Sequence, residues 1–288
     1  IRRPPRSTLD RSSAASDVYK RQDLSSLRII CTGGEPWTEK PWKWLFEFIG
    51  KSKVPIMNSA GGTEVSGSIL HCCLHRPFKV GSFNAPIPGM SPGIITNDGK
   101  EVEVNQMGEL IMRKSSIGLT KSLWGDDDRY INNYWTVIKN FWVHGDLASK
   151  DKDGHWYLHG RSDDTIKVSG KRIGPSELES VVVKSGKVKE VAAVGIPDES
   201  KGSKIILSIV PLAEKDGLKA DFFADLIIKD LGKSFKPDKI IFVKDLPKTR
   251  NMKIMRRVIK SCLTNEDPGD VSTLLNPESV EEIKQHAI

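Results

Sequence analysis

Two short apolar runs, residues 27–32 and 54–58, are each followed by paired glycines, Gly33-Gly34 and Gly61-Gly62. Runs of this length that meet glycine pairs read as buried strands leading into tight loops. Between them, Thr38 is placed to cap a helix through about Phe48, with Pro41 in its first turn and Gly50 as its stop. Two such strand-loop-helix units predict an α/β layer with a largely parallel sheet.

The texture then changes. Residues 81–135 are rich in Pro, Gly and short alternating runs, and Asn97-Asp98-Gly99 is a hairpin signal between 93–96 and 102–104. A further strand over 109–113 completes a small antiparallel β element, and 142–146 and 156–158 flank the turn Asp153-Gly154. Near Arg161 a third pattern begins. Ser176-x-x-Glu179 reads as a capping box for a helix ending at Gly186. Strands over 191–196, 205–212 and 240–243, an amphipathic helix over 218–231 and a basic helix over 253–261 follow. The expected fold is therefore α/β plus α+β, divided into 1–22, 23–160 and 161–288.

Charge has to be apportioned before it suggests a partner. The chain carries 44 Lys and Arg against 37 Asp and Glu, of which six and two fall in the first 22 residues, leaving +3 for the remainder. That opening stretch has neither apolar periodicity nor a signal-peptide core, and is read as a foreign leader. A nucleic-acid-binding role built on the basic balance weakens accordingly. Four cysteines in 288 residues are no disulfide framework, which points to a reducing, cytoplasmic setting. No run approaches the ~18 apolar residues of a membrane span.

Four segments could carry chemistry. In Asn58-Ser59-Ala60-Gly61-Gly62-Thr63-Glu64 the glycines admit close approach to a phosphate, Thr63 offers a hydroxyl, and Glu64 is a hard oxygen ligand suited to Mg2+. A plain strand-to-helix turn is the competing reading. Asp146, after a strand and Gly145, could take both hydroxyls of a ribose or simply cap a turn. Arg161 and Arg172 supply guanidinium forks for phosphate or ribose oxygens, and Asp163-Asp164 sits where a hinge could lie. In Pro247-Lys248-Thr249-Arg250-Asn251-Met252-Lys253-Ile254-Met255-Arg256-Arg257, a lysine on a loop before a basic helix could neutralise charge on a transferred group, unless the run is a solvated face. His71-Cys72-Cys73-Leu74-His75 lacks the spaced pairs of a zinc site and reads as core or pocket wall.

In this order and spacing the motifs resemble the C-terminal half of the adenylate-forming superfamily, and within it the acetyl-CoA synthetase-like, AMP-forming acyl-CoA synthetases. The resemblance runs from about Leu27 to Ile283. It includes Gly34-Glu35-Pro36, the Gly61-Gly62-Thr63-Glu64 turn, His144-Gly145-Asp146, the run 160–173, the run 247–257 and the tail 269–277. It implies the C-terminal part of a large AMP-binding domain followed by a small mobile domain. The implied chemistry is a two-step ligation of a carboxylic acid with ATP and then CoA, assisted by Mg2+. Matched by position, Gly34, Glu35 and Pro36 would line the adenine pocket with Asn58 and Ser59. Thr63 would meet the α-phosphate, Glu64 the Mg2+, Asp146 and Arg161 the ribose, and Arg172 a phosphate. Lys253 would be the adenylation lysine, Asp163 the hinge, and Ser169 and Gly170 would face the pantetheine channel.

Three departures qualify these implications. The family's large N-terminal region, with its phosphate loop, has no counterpart in this sequence, so the chain is expected to be an incomplete fragment with little adenylation activity alone. Asn251-Met252 replaces the usual Ser-Gly before the lysine, which predicts a stiffer loop. Gly61 stands where acetate-specific members carry Trp, which predicts room for a short- to medium-chain or oxo acid. Loading of a carrier-protein thiol in place of CoA is the nearest rival, and an inactive regulatory relative a more distant one. Sequence sets no oligomeric state.

Overall fold

The computed structural model describes residues 23–212 and 218–288. The segment 1–22, read above as a leader, lies outside the described residues. Strand β1 (Ile30–Gly33) leads through helix α1 (Glu39–Trp44), which widens into a π turn over Leu45–Ile49, to β2 (Ile56–Gly62). The two strands pair in parallel, from Ile30 opposite Ile56 to Gly33 opposite Ser59. The expectation of a largely parallel sheet fails beyond this pair. β2 continues through both glycines and turns back antiparallel onto β3 (Gly67–His71), which in turn pairs with β4 (Ala85–Pro86). Length explains this. Only a 3-10 turn over Thr63–Val65, ending on left-handed Ser66, separates β2 from β3. A parallel return needs a crossover of a dozen or more residues.

A second sheet holds β5 (Pro92–Ile95), β6 (Gly108–Met112), β7 (Trp142–Lys150) and β8 (Trp156–Arg161) in that order, all antiparallel, with α2 (Asp127–Tyr130) between β6 and β7. The Asn97-Asp98-Gly99 turn forms, Gly99 N–H donating to Thr96 O. The returning segment is shorter than expected: after the Ile95–Glu101 bridge and the Val102 N–H bond to Ile94 O, residues 103–104 leave the hairpin, while β6 pairs with the other edge of β5. Trp142, Leu110, Ile69, Leu70 and Tyr130 form the buried centre between the two sheets.

Next comes a hairpin, β9 (Ile166–Val168) and β10 (Lys171–Ile173). Ser169 and Gly170 form its turn at φ 49° and 79°, the left-handed conformation that two-residue hairpins require. Helix α3 (Pro175–Lys184) starts earlier than the capping box implied. Glu177, not Glu179, reaches back to the Gly174 N–H at 3.0 Å, while Ser176 Oγ donates to His159 O. Pro at the first helical position, where no donor is needed, moves the start forward.

The remaining sheet is β11 (Val188–Asp198), β12 (Gly202–Pro211) and β13 (Lys239–Phe242), with α4 (Ala220–Leu231) crossing from β12 to β13. Its residues alternate between two buried faces. Ile205, Leu207 and Ile209 meet α3 and α4, whereas Ile206 and Val210 meet α5 (Arg256–Leu263) and α6 (Glu278–Lys284). Coverage on both sides is why β12 reads as a near-continuous apolar run. No helix among the described residues is long and apolar enough to cross a membrane.

Candidate active site

The loop after β1, the end of β2, the β7–β8 pair and the segment ahead of α5 surround one cavity of about 620 Å3. Gly34, Glu35 and Pro36 form part of its wall. Gly34 takes φ 108°, open only to glycine without strain, so the chain can turn sharply out of β1. Ser59 and Gly61 continue the wall from β2, and Asp146 and Arg161 enter from β7 and β8. Asp163 and Lys253 lie on the same cavity.

Asp146 is positioned by sheet register, directly opposite Arg161. His144 Nδ1 lies 2.6 Å from Asp146 Oδ2, an ion-pair distance without hydrogen-bond alignment. Arg161 packs over Gly145, whose φ of 84° and missing Cβ leave space for the guanidinium. Its Nη1 donates to His144 O at 3.0 Å and its Nε to Asp163 Oδ1 at 3.1 Å. The next residue, Asp164, is held above the ordinary carboxylate range by burial and by the neighbouring Asp163 charge.

Lys253 precedes α5 instead of lying within it, correcting the expected helix over 253–261. It sits on a small hairpin in which Thr249 N–H donates to Lys253 O at 2.9 Å and Lys253 N–H to Thr249 Oγ1 at 3.2 Å. Met252 adopts φ 65°, a conformation disfavoured for a side-chain-bearing residue.

Six expected site residues lie elsewhere. Asn58 is buried behind the wall, its Oδ1 accepting from Thr32 Oγ1 at 3.0 Å, so it braces the strands instead of facing the cavity. Thr63 is exposed on the turn after β2, beyond the cavity wall. Arg172 lies outside the cavity on β10; with the Asn97 carboxamide oxygen turned inward, it donates to Asn97 at 3.2 and 3.3 Å. Ser169 and Gly170, at the hairpin tip, are also outside.

Glu64 is just beyond the wall as well. Tyr134 OH donates to its Oε1 at 2.9 Å, and its Oε2 faces the Gly62 Cα at the edge shared with His144. Burial and the Glu64 charge push Tyr134 up to about 12, so it stays a donor. No cluster of three or more His, Cys, Asp or Glu suited to a metal occurs among the described residues. Glu64 suits a Mg2+ ion that takes most of its other ligands from a nucleotide and water. Of the His71–His75 run only Cys72 is buried, its Sγ donating to Ser82 O, while Leu74 and His75 are exposed, so the core reading holds for that cysteine alone.

Gly61 needs a different explanation from the one its missing side chain suggested. A Cβ there would lie 2.0 Å from Gly67 O and 2.5 Å from Ser68 Cα, within the β3 backbone. The glycine is demanded by strand approach at a bulge. The space a side chain would take is therefore filled by main chain. Ala60, Gly61 and Gly62 nonetheless present no side chain larger than methyl to this side of the fold.

The cavity also contains a pair that sequence reading missed. Glu179 accepts from Arg256 Nε at 3.0 Å and Nη2 at 2.7 Å, and also from Ala193 N–H at 2.9 Å. Glu179 had been assigned to helix capping. Its position one turn into α3, on the face shared with buried Leu178 and Val182, was the available signal.

Comparison with known proteins bears on the family and the fold. The model of the AMP-binding enzyme family matches residues 7–124, starting inside the segment read as a leader, and that of the AMP-binding enzyme C-terminal domain matches 177–253. Acetyl-coenzyme A synthetase of Methanothrix soehngenii is 37% identical over 278 residues, covering 91% of this chain and 40% of that protein. The Pasteurella multocida enzyme of the same name is 36% identical, with 93% and 42% covered. The chain thus spans about two fifths of the length of these relatives. An anthranilate CoA ligase in complex with anthranoyl-AMP superposes with a TM-score of 0.71 at 28% identity, over 84% of this chain and 46% of that one. Acetoacetyl-CoA synthetase from Streptomyces lividans shares the fold with a TM-score of 0.79 at 22% identity, over 95% and 43%. With both family models matched in order, over 7–124 and 177–253, this chain belongs to the AMP-binding enzyme family.

Proposed function

We propose that the chain forms the nucleotide-binding and lysine-bearing part of an AMP-forming acyl-CoA synthetase. The observation that carries this reading is the convergence of Lys253 with Asp146 and Arg161 on one cavity, from segments far apart in sequence. A carboxylate oxygen of the acid attacks the α-phosphorus of ATP, pyrophosphate leaves, and acyl-AMP forms. The CoA thiol then attacks the acyl carbonyl, AMP leaves, and the thiol proton passes to solvent.

Gly34, Glu35, Pro36 and Ser59 bound the adenine, with Asn58 bracing them. Asp146 and Arg161 hold the ribose, and Thr63 meets the α-phosphate. Lys253 neutralises charge as it develops on the transferring phosphoryl group. Mg2+ held by Glu64 would offset phosphate charge. Arg172, Ser169 and Gly170, all outside the cavity, are assigned to the second step, after residues 161–288 rotate about Asp163. Lys253 then leaves and the Ser169-Gly170 tip reaches the pantetheine path. The bare wall at Ala60 and Gly61 favours a short- to medium-chain or oxo acid. Four cysteines without disulfides favour the cytoplasm.

The test is acid-dependent AMP formation by a polypeptide carrying this chain at the full length of its relatives, with acetate, propionate, butyrate, hexanoate and acetoacetate. Lys253→Ala lowers adenylation at least ~100-fold while thioester formation from supplied acyl-AMP persists. Undiminished adenylation in that variant overturns the assignment. Acceptance of a phosphopantetheinyl carrier instead of CoA would move the reading to its nearest rival.

A further inference from the structure

Lys253 is exposed, and among the described residues its ammonium makes no ion pair, so the base of its hairpin sets where it stands. That base is held by the tail of the chain. Asn276 is 6% exposed, and its carboxamide is saturated. Oδ1 accepts from Lys248 N–H at 3.0 Å, while Nδ2 donates to Asp245 Oδ2 and to Leu246 O, both at 2.7 Å. Main-chain bonds extend the same clamp. Leu275 N–H donates to Lys248 O at 2.8 Å, and Leu274 bridges Thr249. Within the hairpin, Lys248 bridges Ile254 and Met255 N–H donates to Pro247 O. The Lys248 side chain is itself buried between Asp245 and Glu190, the latter at 2.7 Å, and Glu190 lines the cavity.

We propose that Asn276 is a positioning residue for Lys253, fixing the 248–254 hairpin in the register that presents the lysine to the cavity. The geometry leaves little slack. One carboxamide bonds Asp245, Leu246 and Lys248 at the entry to the hairpin's first leg, and the lysine follows only a few residues later. An unpaired hairpin of this size, with Met252 at positive φ, has little to hold it closed. The tail supplies the third strand-like leg. The functional half of this inference rests on the reading of Lys253 as the adenylation lysine.

Hydrogen exchange on this chain tests it without requiring activity. In Asn276→Ala, and in the near-isosteric Asn276→Asp, which sets a carboxylate against Asp245, amides of residues 248–254 exchange at least about tenfold faster. Amides of β11 and β12 keep their rates. Thr249→Val, which removes the acceptor of Lys253 N–H, loosens the hairpin tip alone. In a full-length polypeptide, both Asn276 variants lower adenylation and spare thioester formation from supplied acyl-AMP. Unchanged hairpin exchange overturns the proposal, as does loss of protection throughout β11 and β12 in Asn276→Asp. A loosened hairpin with full adenylation also overturns it, provided Lys253→Ala is impaired. If Lys253→Ala adenylates normally, the reading of the lysine falls, and exchange still decides whether Asn276 holds the hairpin.

Discussion

Asp146 and Arg161 stand directly opposite each other on the antiparallel strands β7 and β8. Cross-strand partners are fixed about 5 Å apart by the backbone itself. Their spacing therefore does not depend on any movement of residues beyond Asp163. This suits the role proposed for them, holding one nucleotide through both steps of a reaction.

The pairing predicts shared work at the ribose. Asp146→Asn and Arg161→Gln should each weaken ATP binding by roughly 10- to 100-fold, the range for hydrogen bonds to charged groups. The double variant should lose less than the product of the two if, as proposed, the residues face the same ligand. Titration calorimetry on the three variants checks this; simple additivity would mean they act independently.

Glu179 and Arg256 are both largely buried, with exposures of 12% and 16%. Glu179→Ala leaves the guanidinium and the Ala193 N–H without their acceptor. The expected loss is about 3 kcal/mol, typical of breaking one side of a buried pair. Urea unfolding should show a lower midpoint at unchanged slope. A loss below ~1 kcal/mol would class the pair as surface-like.

At Gly61 the backbone, and not the pocket, should dominate. Gly61→Ala forces a Cβ against Gly67 O, so stability should fall by about 2 kcal/mol or more. Thermal unfolding with and without a series of acids measures it. A stable variant whose only change is a narrower acid range would restore the simpler pocket account.

His159 supplies a pH dependence. Burial lowers its affinity for protons in the folded chain, where its Nε2 lies 2.8 Å from Ser149 Oγ. The unfolded chain binds the proton more readily, so this residue's contribution to stability is complete above about pH 6.5. It is lost progressively as pH falls from there through the lowered folded value. His159→Gln should flatten the stability profile over that interval, measured by denaturant unfolding at several pH values.

Much of the fold was legible because its elements carry local signals. The near-continuous apolar run of β12, the glycine-terminated β1 and the Asp153-Gly154 turn each reflect nearest-neighbour physics. Misreadings arose where a partner distant in sequence decided the outcome. The glycine pair at 61–62 looks like a strand end, yet β3 extends the pairing through it. Residues 102–104 have strand composition, but the returning leg pairs with β5 only as far as Val102, and Asn105 N–H turns to Lys150 O instead. Glu179 fits a capping pattern, yet Arg256, 77 residues further on, takes its carboxylate.

For the site, the sequence by itself determined which chemical groups are present: the hydroxyls, carboxylates and cations in family order, and the glycines that admit close approach. Tertiary structure decided which of them meet. It placed Gly34, Ser59, Asp146, Arg161 and Lys253 on one cavity and left Arg172, Ser169 and Gly170 outside. It also turned Asn58 inward as a brace and tied Lys253's hairpin to the tail through Asn276. The physical reason is one of range. Side-chain chemistry and backbone preference act over a few residues, whereas strand register, buried ion pairs and cavity walls exist only once distant segments have packed together.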